Sequence, residues 1–276
     1  MKRFQTRDPR LGSAPLFPDV NRLRAQMQLS WARELAVLQR AGLSDGMVIL
    51  DVGCGPAFVS EALLDAFPRC RVIGVELDAA MVSSARDRLH RFRDRHAIVE
   101  ASATGLFELP DGAFDFVVAR YLLQHLPLPR LAVAEMFRVL KPGGRAALID
   151  IDDALGGIIS PACPAMGRVT EQVRRRQAAY GGNREIGRQL PSLLGAHGFE
   201  RVALEILALD SREVGRDAFA VLFDAVWHEG LLADGWITAD DLEGWRAETA
   251  NLLGGPDAFI MELIMIAHGS KPAICG

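Results

Sequence analysis

The sequence predicts an α/β protein built on a doubly wound, mostly parallel sheet. Between residues 47 and 151, short apolar runs alternate with segments of helical periodicity, as they do in chains of parallel β-α units. A turn with two glycines separates the first run from the first such segment, in the stretch "VILDVGCGPAFVS" (Val48 to Ser60). Half of the 276 residues are apolar, which is enough for a sizeable core.

The first predicted element is an amphipathic helix that precedes the alternating region. Asp19 can cap its start and Gly42 can end it. Its apolar residues recur every three or four positions: Leu23, Met27, Trp31, Leu35 and Leu38.

Five strands and three helices follow. Pro68 ends the first of these helices, Asp78 begins the second, and Pro129 lies in the first turn of the third. The predicted strands are "MVILDV", "CRVIGVE", "HAIVEA", "FDFVVA" and "RAALIDI", and the helices are "AFVSEALLDAF", "DAAMVSSARDRLHRF" and "PRLAVAEMFRVL".

The alternation breaks after Asp153. A Gly- and Pro-rich stretch and a polar helix come first, then a helix and the strand "ERVALEILAL". The 45 residues before the last strand, "AFIMELIMIAHG", are too long for a hairpin loop and predict an inserted helical cap, which contains the helical stretches "GRDAFAVLFDAVWHEGLLA" and "TADDLEGWRAETANLL". We therefore expect an N-terminal segment and helix (1–42) that act as a cap, and one domain (43–276) with helical insertions at about 153–185 and 211–256.

Composition argues against several classes of protein. The net charge of −4 and the pI of about 5.9 disfavour a nucleic-acid binder. The N-terminus has no apolar signal core, and no apolar run is long enough to span a membrane. The four cysteines form no C-x-x-C pair, which is typical of reduced thiols in a cytoplasmic protein: Cys54, Cys70, Cys163 and Cys275.

The glycine turn is a candidate nucleotide site. Gly53 and Gly55 allow positive φ and close approach of a ligand to the backbone at a helix start. Phe58 occupies the last position of the G-x-G-x-x-G pattern, so a dinucleotide is disfavoured, and no P-loop pattern is present. Glu76 ends the second strand, where an acidic side chain can bind both ribose hydroxyls. The alternative is a tight turn that binds no ligand.

These motifs together resemble the class I S-adenosylmethionine-dependent methyltransferases. "LDVGCGPA" with Glu76, "LPDGAFDFVVARYLLQHL", "EMFRVLKPGGRAALID" and "IGRQLPSLLGAHGF" occur in the order that the family shows. The resemblance covers roughly residues 45–210 and 257–272. It implies a Rossmann-like, seven-stranded sheet with an antiparallel last strand, and S-adenosylmethionine as cofactor, with S-adenosylhomocysteine as product.

The resemblance also implies roles for individual residues. Asp51 and the backbone of Gly53 to Gly55 would hold the methionine end of the cofactor, and Glu76 would bind the ribose. The remaining implied contacts are Leu77 against the adenine, Ser102 and Ala103 along the adenine pocket, and Arg120 through its backbone.

Two positions depart from the family's common pattern. Ala57 replaces a frequent third glycine, and we expect negative φ there or a small local shift. Ser102 stands where an Asp often accepts a hydrogen bond from the adenine amine, and a neutral hydroxyl accepts more weakly.

Two candidates for catalysis follow the fourth strand. His125 is the best candidate for a general base because imidazole titrates near neutral pH, but a structural role is equally open. Tyr121 could orient or stack on a substrate, or simply pack.

Other polar clusters have two interpretations each. The carboxylates of "DIDD" (Asp150 to Asp153) could bind a metal ion, but their alternating direction favours a polar rim of a substrate cleft, so we predict no metal. "VRRRQ" (Val173 to Gln177) could bind an acidic group or form a solvated helix face. Three cap residues could line a substrate pocket or pack: Tyr180, Trp227 and His228.

The substrate class follows from absences and from the helical additions. No [DNS]-P-P-[YF] motif and no Pro-Cys nucleophile is present, which argues against methylation of nucleic-acid bases. The additions predict a lid over a small or medium-sized organic substrate, and they resemble those of bacterial enzymes that methylate secondary metabolites. The acceptor atom can be O, N or C. A peptide or protein substrate, a non-methylating cofactor-binding homologue and a homodimer remain open.

Overall fold

The computed structural model describes residues 20–155 and 157–273. Asp19, expected to cap the first helix, and Cys275 lie outside the described residues.

The centre of the fold is the parallel sheet that the alternating pattern predicts. Its strands pair in the order β3-β2-β1-β4-β5, and all four pairings are parallel. The fifth strand begins at Leu140, five residues before the predicted "RAALIDI", and its register against β4 shifts between Phe114 and Phe116. The strands are β1 (Val48–Val52), β2 (Arg71–Glu76), β3 (His96–Glu100), β4 (Phe114–Arg120) and β5 (Leu140–Asp150).

Three more strands extend the sheet, so the expectation of seven strands is wrong by one. The extra strand is short, β6 (Ile158–Ser160), and comes from the Gly- and Pro-rich stretch. It pairs antiparallel with β8 (Phe259–Ser270), which also pairs antiparallel with β5 and β7 (Glu200–Asp210). Met261 pairs with both β6 and β7, so these two strands lie on opposite edges of β8.

Helices cover both faces of the sheet. Ile49 and Leu50 are neighbours on β1, both fully buried, and belong to two different apolar clusters, as alternation along a strand requires. The helices are α1 (Val20–Arg40), α2 (Phe58–Ala66), α3 (Ala79–Leu89), α4 (Pro129–Val139), α5 (Pro164–Ala179), α6 (Leu190–Ala196), α7 (Ser211–Val214), α8 (Asp217–Ala220), α9 (Glu229–Ala233) and α10 (Ala239–Gly254), with 3₁₀ turns at His90–Arg95, Leu123–His125, Ile186–Gln189 and Ala225–His228.

The helical stretch predicted after Gly215 is broken into short pieces. Asp224 has extended backbone, and its side chain accepts from the N–H of Val226, which starts a new turn. The stretch predicted from Thr238 is one helix, begun by a capping box between Thr238 and Asp241.

Two of the three expected cap segments pack on each other. The carboxylate of Glu248 on α10 accepts from the N–H groups of Ala165 and Met166 at the start of α5, at 3.0 and 2.9 Å. A carboxylate at that position satisfies amides that have no partner within the helix and complements the helix dipole. No helix in the described part of the chain has both the length and the apolar character needed to cross a membrane.

Candidate active site

The glycine turn lies at the carboxyl ends of the central strands, where chain order reverses and ligands bind in doubly wound sheets. Gly53 has φ +72° and donates its N–H to Val75 O at 2.8 Å. A Cβ on Gly53 would lie 2.7 Å from a methyl of Leu122, so both conformation and space require glycine. Gly55 also has positive φ, but a Cβ there would meet nothing within 4 Å. The space beside Gly55 is open.

Ala57 has φ +63° and ψ +34°, so the expectation of negative φ is wrong. The left-handed conformation lets its N–H bond to Cys54 O while its carbonyl accepts from Glu61 and starts α2, both at 2.9 Å. This conformation costs a non-glycine residue roughly 1–2 kcal/mol. The methyl group is fully buried, and that burial offsets part of the cost.

Glu76 at the end of β2 reaches back to the glycine turn. Its Oε2 accepts from Gly55 N–H at 2.9 Å, and its Oε1 accepts from the N–H groups of Leu77 and Asp78 at 2.7 and 2.9 Å. Three amides therefore orient the carboxylate. An ionised carboxylate has about four acceptor positions, so at least one is open to a ligand hydroxyl.

Asp51 lies at the other side of the turn and is buried in β1. Its Oδ2 accepts from the Ser60 hydroxyl at 2.6 Å, which ties the strand to α2. Burial raises the pKa of Asp51 to about 6, although the Ser60 hydrogen bond and the charge of Arg120 oppose the rise. The Asp51 carboxylate thus lies at the centre of the sheet edge, and its burial disfavours the ionised form.

The residues expected around an adenine ring follow β2 and β3. Leu77 exposes 53% of its surface, an unusual state for a leucine beside a buried strand end. Ala101 N–H donates to Glu76 O at 2.9 Å and so brings the loop after β3 beside it. Ala103 is buried. The Ser102 hydroxyl lies 2.9 Å from that of Thr104, which already occupies part of its hydrogen-bonding capacity.

The side chain of Arg120 has a partner that the sequence interpretation missed. It forms a buried ion pair with Glu34 of α1, with Nε–Oε2 and Nη2–Oε1 distances of 2.7 and 2.9 Å, and contacts Ser30 Oγ at 3.1 Å. Glu34 is completely buried. Ser30 and Glu34 lie in helical register with the apolar face that begins at Leu23, and a carboxylate in that register was the available signal.

Tyr121 lies directly after Arg120 in a left-handed conformation, with φ +51°. Its N–H donates to Ile149 O at 2.7 Å, and its ring lies 4.3 Å from the Arg120 guanidinium carbon. Burial raises the pKa of the phenol far above its usual range, so the hydroxyl is neutral. The ring is held between the sheet edge and α1.

His125 ends the 3₁₀ turn after β4 and lines a recess. More than a third of its surface is exposed, yet burial lowers its pKa to about 4, with the charges of Arg184 and Arg22 as further causes. Both observations hold for an imidazole that faces a cleft enclosed by protein. The ring is therefore neutral at pH 7.

The Asp150 carboxylate contacts the backbone of the same turn. Its two carboxylate oxygens accept from Gln124 and Ile151 N–H at 3.1 and 3.0 Å, and burial raises its pKa to about 7. The neighbouring carboxylates are in ion pairs, Asp152 with Arg188 and Asp153 with Arg184. The three carboxylates therefore bind backbone N–H groups and arginine side chains.

The cap is anchored to the His125 turn. The carbonyl of Gln124 accepts from Gln177 Nε2 on α5 at 2.7 Å and from Asn183 N–H at 2.8 Å. Within "VRRRQ", Arg176 pairs with Asp234 at 2.9 Å, so this arginine joins parts of the cap and is not a free anion binder. The predicted site residues of β1, β2 and β3 thus meet at the glycine turn, and those after β4 face the cap.

Comparison with known proteins agrees with this geometry. Residues 50–148 match the model of a methyltransferase domain family. A trans-aconitate 2-methyltransferase of Azoarcus sp. (strain BH72) is 34% identical over 117 residues, which are 42% of this chain and 43% of that protein. A ubiquinone biosynthesis O-methyltransferase of Pseudomonas paraeruginosa is 34% identical over 49% of this chain and 53% of its own length. The chain thus spans about half the length of these relatives.

Similarity to a solved structure covers more of the chain. Phosphoethanolamine N-methyltransferase 2 of Haemonchus contortus, solved with S-adenosyl-L-methionine, superposes with a TM-score of 0.60 at 18% identity. The match covers 94% of this chain and 58% of that one. Residues 50–148 thus match a methyltransferase domain, and the chain shares the fold of this methyltransferase.

The buried ion pair yields a stability prediction. Glu34→Gln leaves the buried Arg120 cation without a counter-charge, and we expect a loss of about 3–5 kcal/mol in the free energy of unfolding. The exposed pair Arg91–Asp65 provides the control, since Asp65→Asn should cost less than about 1 kcal/mol. Urea denaturation measures both. Equal losses would show that the Arg120–Glu34 pair contributes no more than a surface contact.

The raised pKa of Asp150 predicts how stability depends on pH. The folded protein keeps this proton to about pH 7, whereas the unfolded chain loses it near pH 4. The stability that Asp150 contributes is therefore complete below pH 4 and is lost as the pH rises through 7. When the pH is raised from 5 to 7.5, the free energy of unfolding should therefore fall by about 2 kcal/mol less in Asp150→Asn than in the wild type. Urea titrations at both pH values test this, with the exposed Asp94→Asn as control. Parallel losses in all three proteins would contradict it.

Proposed function

We propose that the protein transfers a methyl group from S-adenosylmethionine to an O, N or C nucleophile of a small or medium-sized organic metabolite. The observation that carries this proposal is the carboxylate of Glu76, oriented by three amides and hydrogen-bonded to the glycine turn at the switch point of the sheet. The match of residues 50–148 to a methyltransferase domain family supports it.

The residues at this edge fit the cofactor. Glu76 has at least one acceptor position for a ribose hydroxyl, and a second becomes available if Gly55 releases its hydrogen bond. The open space at Gly55 gives room for the ligand, and exposed Leu77 offers an apolar face to the adenine. Asp51 is placed for the methionine end, and the remaining assigned contacts are Ser102, Ala103 and the backbone of Arg120.

When bound, the cofactor supplies a methyl group on a sulfonium, which is a good leaving group for in-line displacement. The chain must then orient the acceptor and exclude water, which is worth up to roughly 7–11 kcal/mol when the alignment is good. Tyr121 is held rigidly by its backbone bond and by Arg120, so its ring can form one wall for the acceptor. The cap anchored at Gln124 covers the same space.

His125 is placed to accept a proton from the acceptor. It is neutral at pH 7 and therefore able to accept, although an imidazole with a pKa of about 4 is a weak base. A positioned base contributes about 10²–10⁴-fold to a rate. The alternative role for His125 is to shape the cleft, and the two roles predict different kinetic effects when the side chain is removed.

We propose a small substrate rather than a peptide because the predicted cap segments are joined to each other and to the His125 turn. Glu248 of α10 accepts from the N–H groups of Ala165 and Met166 at the start of α5, and the carbonyl of Gln124 accepts from Gln177 of α5 and from Asn183. The relatives act, by their names, on trans-aconitate and in ubiquinone biosynthesis. We further propose that the enzyme is cytoplasmic, that it has no nucleic-acid partner, and that it is a monomer or a homodimer.

The experiment that tests the proposal is transfer of a labelled methyl group. The protein is incubated with methyl-labelled S-adenosylmethionine and cell extracts that contain both metabolites and proteins, and labelled products are identified by mass spectrometry. A labelled small molecule is expected. Binding of the cofactor without any labelled product would instead favour a homologue that does not methylate, and label in protein would favour a protein substrate.

Glu76→Ala should weaken binding of S-adenosylhomocysteine at least tenfold, about 1.4 kcal/mol, because the ribose loses its acceptor. Calorimetry measures the affinity. Glu108→Ala, an exposed glutamate outside the site, is the control and should bind like the wild type. Unchanged affinity in Glu76→Ala would remove the ribose assignment.

His125→Ala should lower kcat about 10²–10⁴-fold if the imidazole is the base, with affinity for S-adenosylhomocysteine nearly intact. If His125 is the base, kcat/KM also falls as pH drops through about 4, where the ring becomes protonated. The exposed His90→Ala is the control. A parallel fall in rate and cofactor affinity would assign His125 a structural role.

A further inference from the structure

We propose that the recess under the cap binds the anionic group of the substrate, a carboxylate or a phosphate, between Arg22 of α1 and Arg184 of the cap, beside His228. The inference rests on the proposed function and narrows its substrate to anionic metabolites.

Arg22 is a half-buried cation without an ion-pair partner in the described part of the chain. Its Nε is buried and has no hydrogen-bond partner. Its guanidinium carbon lies 5.4 Å from the centre of the Trp227 ring, a contact that orients the group without neutralising it. Burial lowers the pKa of Arg22, which reports the cost of placing this charge in the protein.

Arg184 is the second cation and is held in place from three sides. It pairs with Asp153, with an Nη2–Oδ1 distance of 3.2 Å, and its Nη1 lies 3.4 Å from both Gln124 Oε1 and Gln177 Oε1. Arg184 contacts Gln124, the neighbour of His125, and Arg22 contacts Trp227, the neighbour of His228. In agreement with these contacts, the charges of Arg22 and Arg184 both lower the pKa values of His125 and His228.

His228 adds a polar atom that has no partner. Its Nε2 is buried and accepts or donates no hydrogen bond within the described residues, while its ring packs edge-on at 4.1 Å against Trp245. Burial lowers its pKa to about 4. A buried polar atom without a partner is destabilising, and a ligand oxygen can supply the missing hydrogen bond.

Glu262 on β8 is the acid that faces these cations. Burial raises its pKa to about 7, the charge of Asp153 raises it further, and Arg22 and Arg184 oppose the rise. Since Asp153 already pairs with Arg184 and Glu262 is only partly ionised near neutral pH, the recess keeps an uncompensated positive charge. An oxyanion between the guanidinium groups compensates that charge, and two fork-shaped donors suit carboxylate and phosphate alike.

An anion in this position also acts on the candidate base. The two arginine charges contribute to the low pKa of His125, so a bound anion raises that pKa and makes the imidazole a stronger base. The substrate would thus help to activate the residue that takes its proton. A neutral analogue would not.

Calorimetry with citrate and pyrophosphate, in the presence of S-adenosylhomocysteine, tests the site. We expect at least one of the two anions to bind the wild type, and Arg22→Gln and Arg184→Gln each to weaken that binding at least tenfold. Triethyl citrate, which lacks the charges, should not bind. Arg40→Gln changes an exposed arginine at the far end of α1 and should bind like the wild type. The tighter of the two probes identifies the carboxylate or the phosphate.

A second measurement follows the His125 ring by NMR. Its pKa should rise when the anion binds, and should also rise in Arg22→Gln without any anion. Unchanged affinity for S-adenosylhomocysteine shows that the variants are folded. Anion binding that is absent in the wild type or equal in Arg22→Gln would overturn this inference alone, whereas a wild type that does not bind S-adenosylhomocysteine would overturn the proposed function and this inference with it.

Discussion

The ion pair between Arg120 and Glu34 is the contact on which the candidate site depends. It joins the first helix to the end of β4; the Glu34 side chain is completely buried and that of Arg120 is nearly so. Because a separated buried charge is costly, the two elements are held in one relative position. That position places the Tyr121 ring against the guanidinium and brings Arg22, three turns earlier on the same helix, over the recess that His125 lines.

The two halves of the site are built by different means. Around the glycine turn, backbone amides make the main contacts, since the N–H groups of Gly55, Leu77 and Asp78 orient the Glu76 carboxylate. Under the cap, long side chains from α5 and the following loop contact the His125 turn.

The sequence predicted the strands of the parallel sheet and the glycine turn because both depend on local patterns: apolar periodicity, and glycines where φ is positive. It failed where tertiary contacts decide. Ala57 adopts a left-handed conformation because neighbouring hydrogen bonds and burial outweigh the local preference. β6 forms because β8 extends beyond β5 and offers unpaired backbone groups. The Arg120–Glu34 pair and the Arg22–Arg184 recess join residues far apart in the chain, which no local pattern reports.

A crystal structure of the complex with S-adenosylhomocysteine tests the central claim most directly. The account predicts a ribose hydroxyl within hydrogen-bonding distance of Glu76, the adenine against Leu77, and the sulfur directed toward the recess between Tyr121 and His125. A ligand bound elsewhere, or a sulfur directed away from that recess, would contradict it.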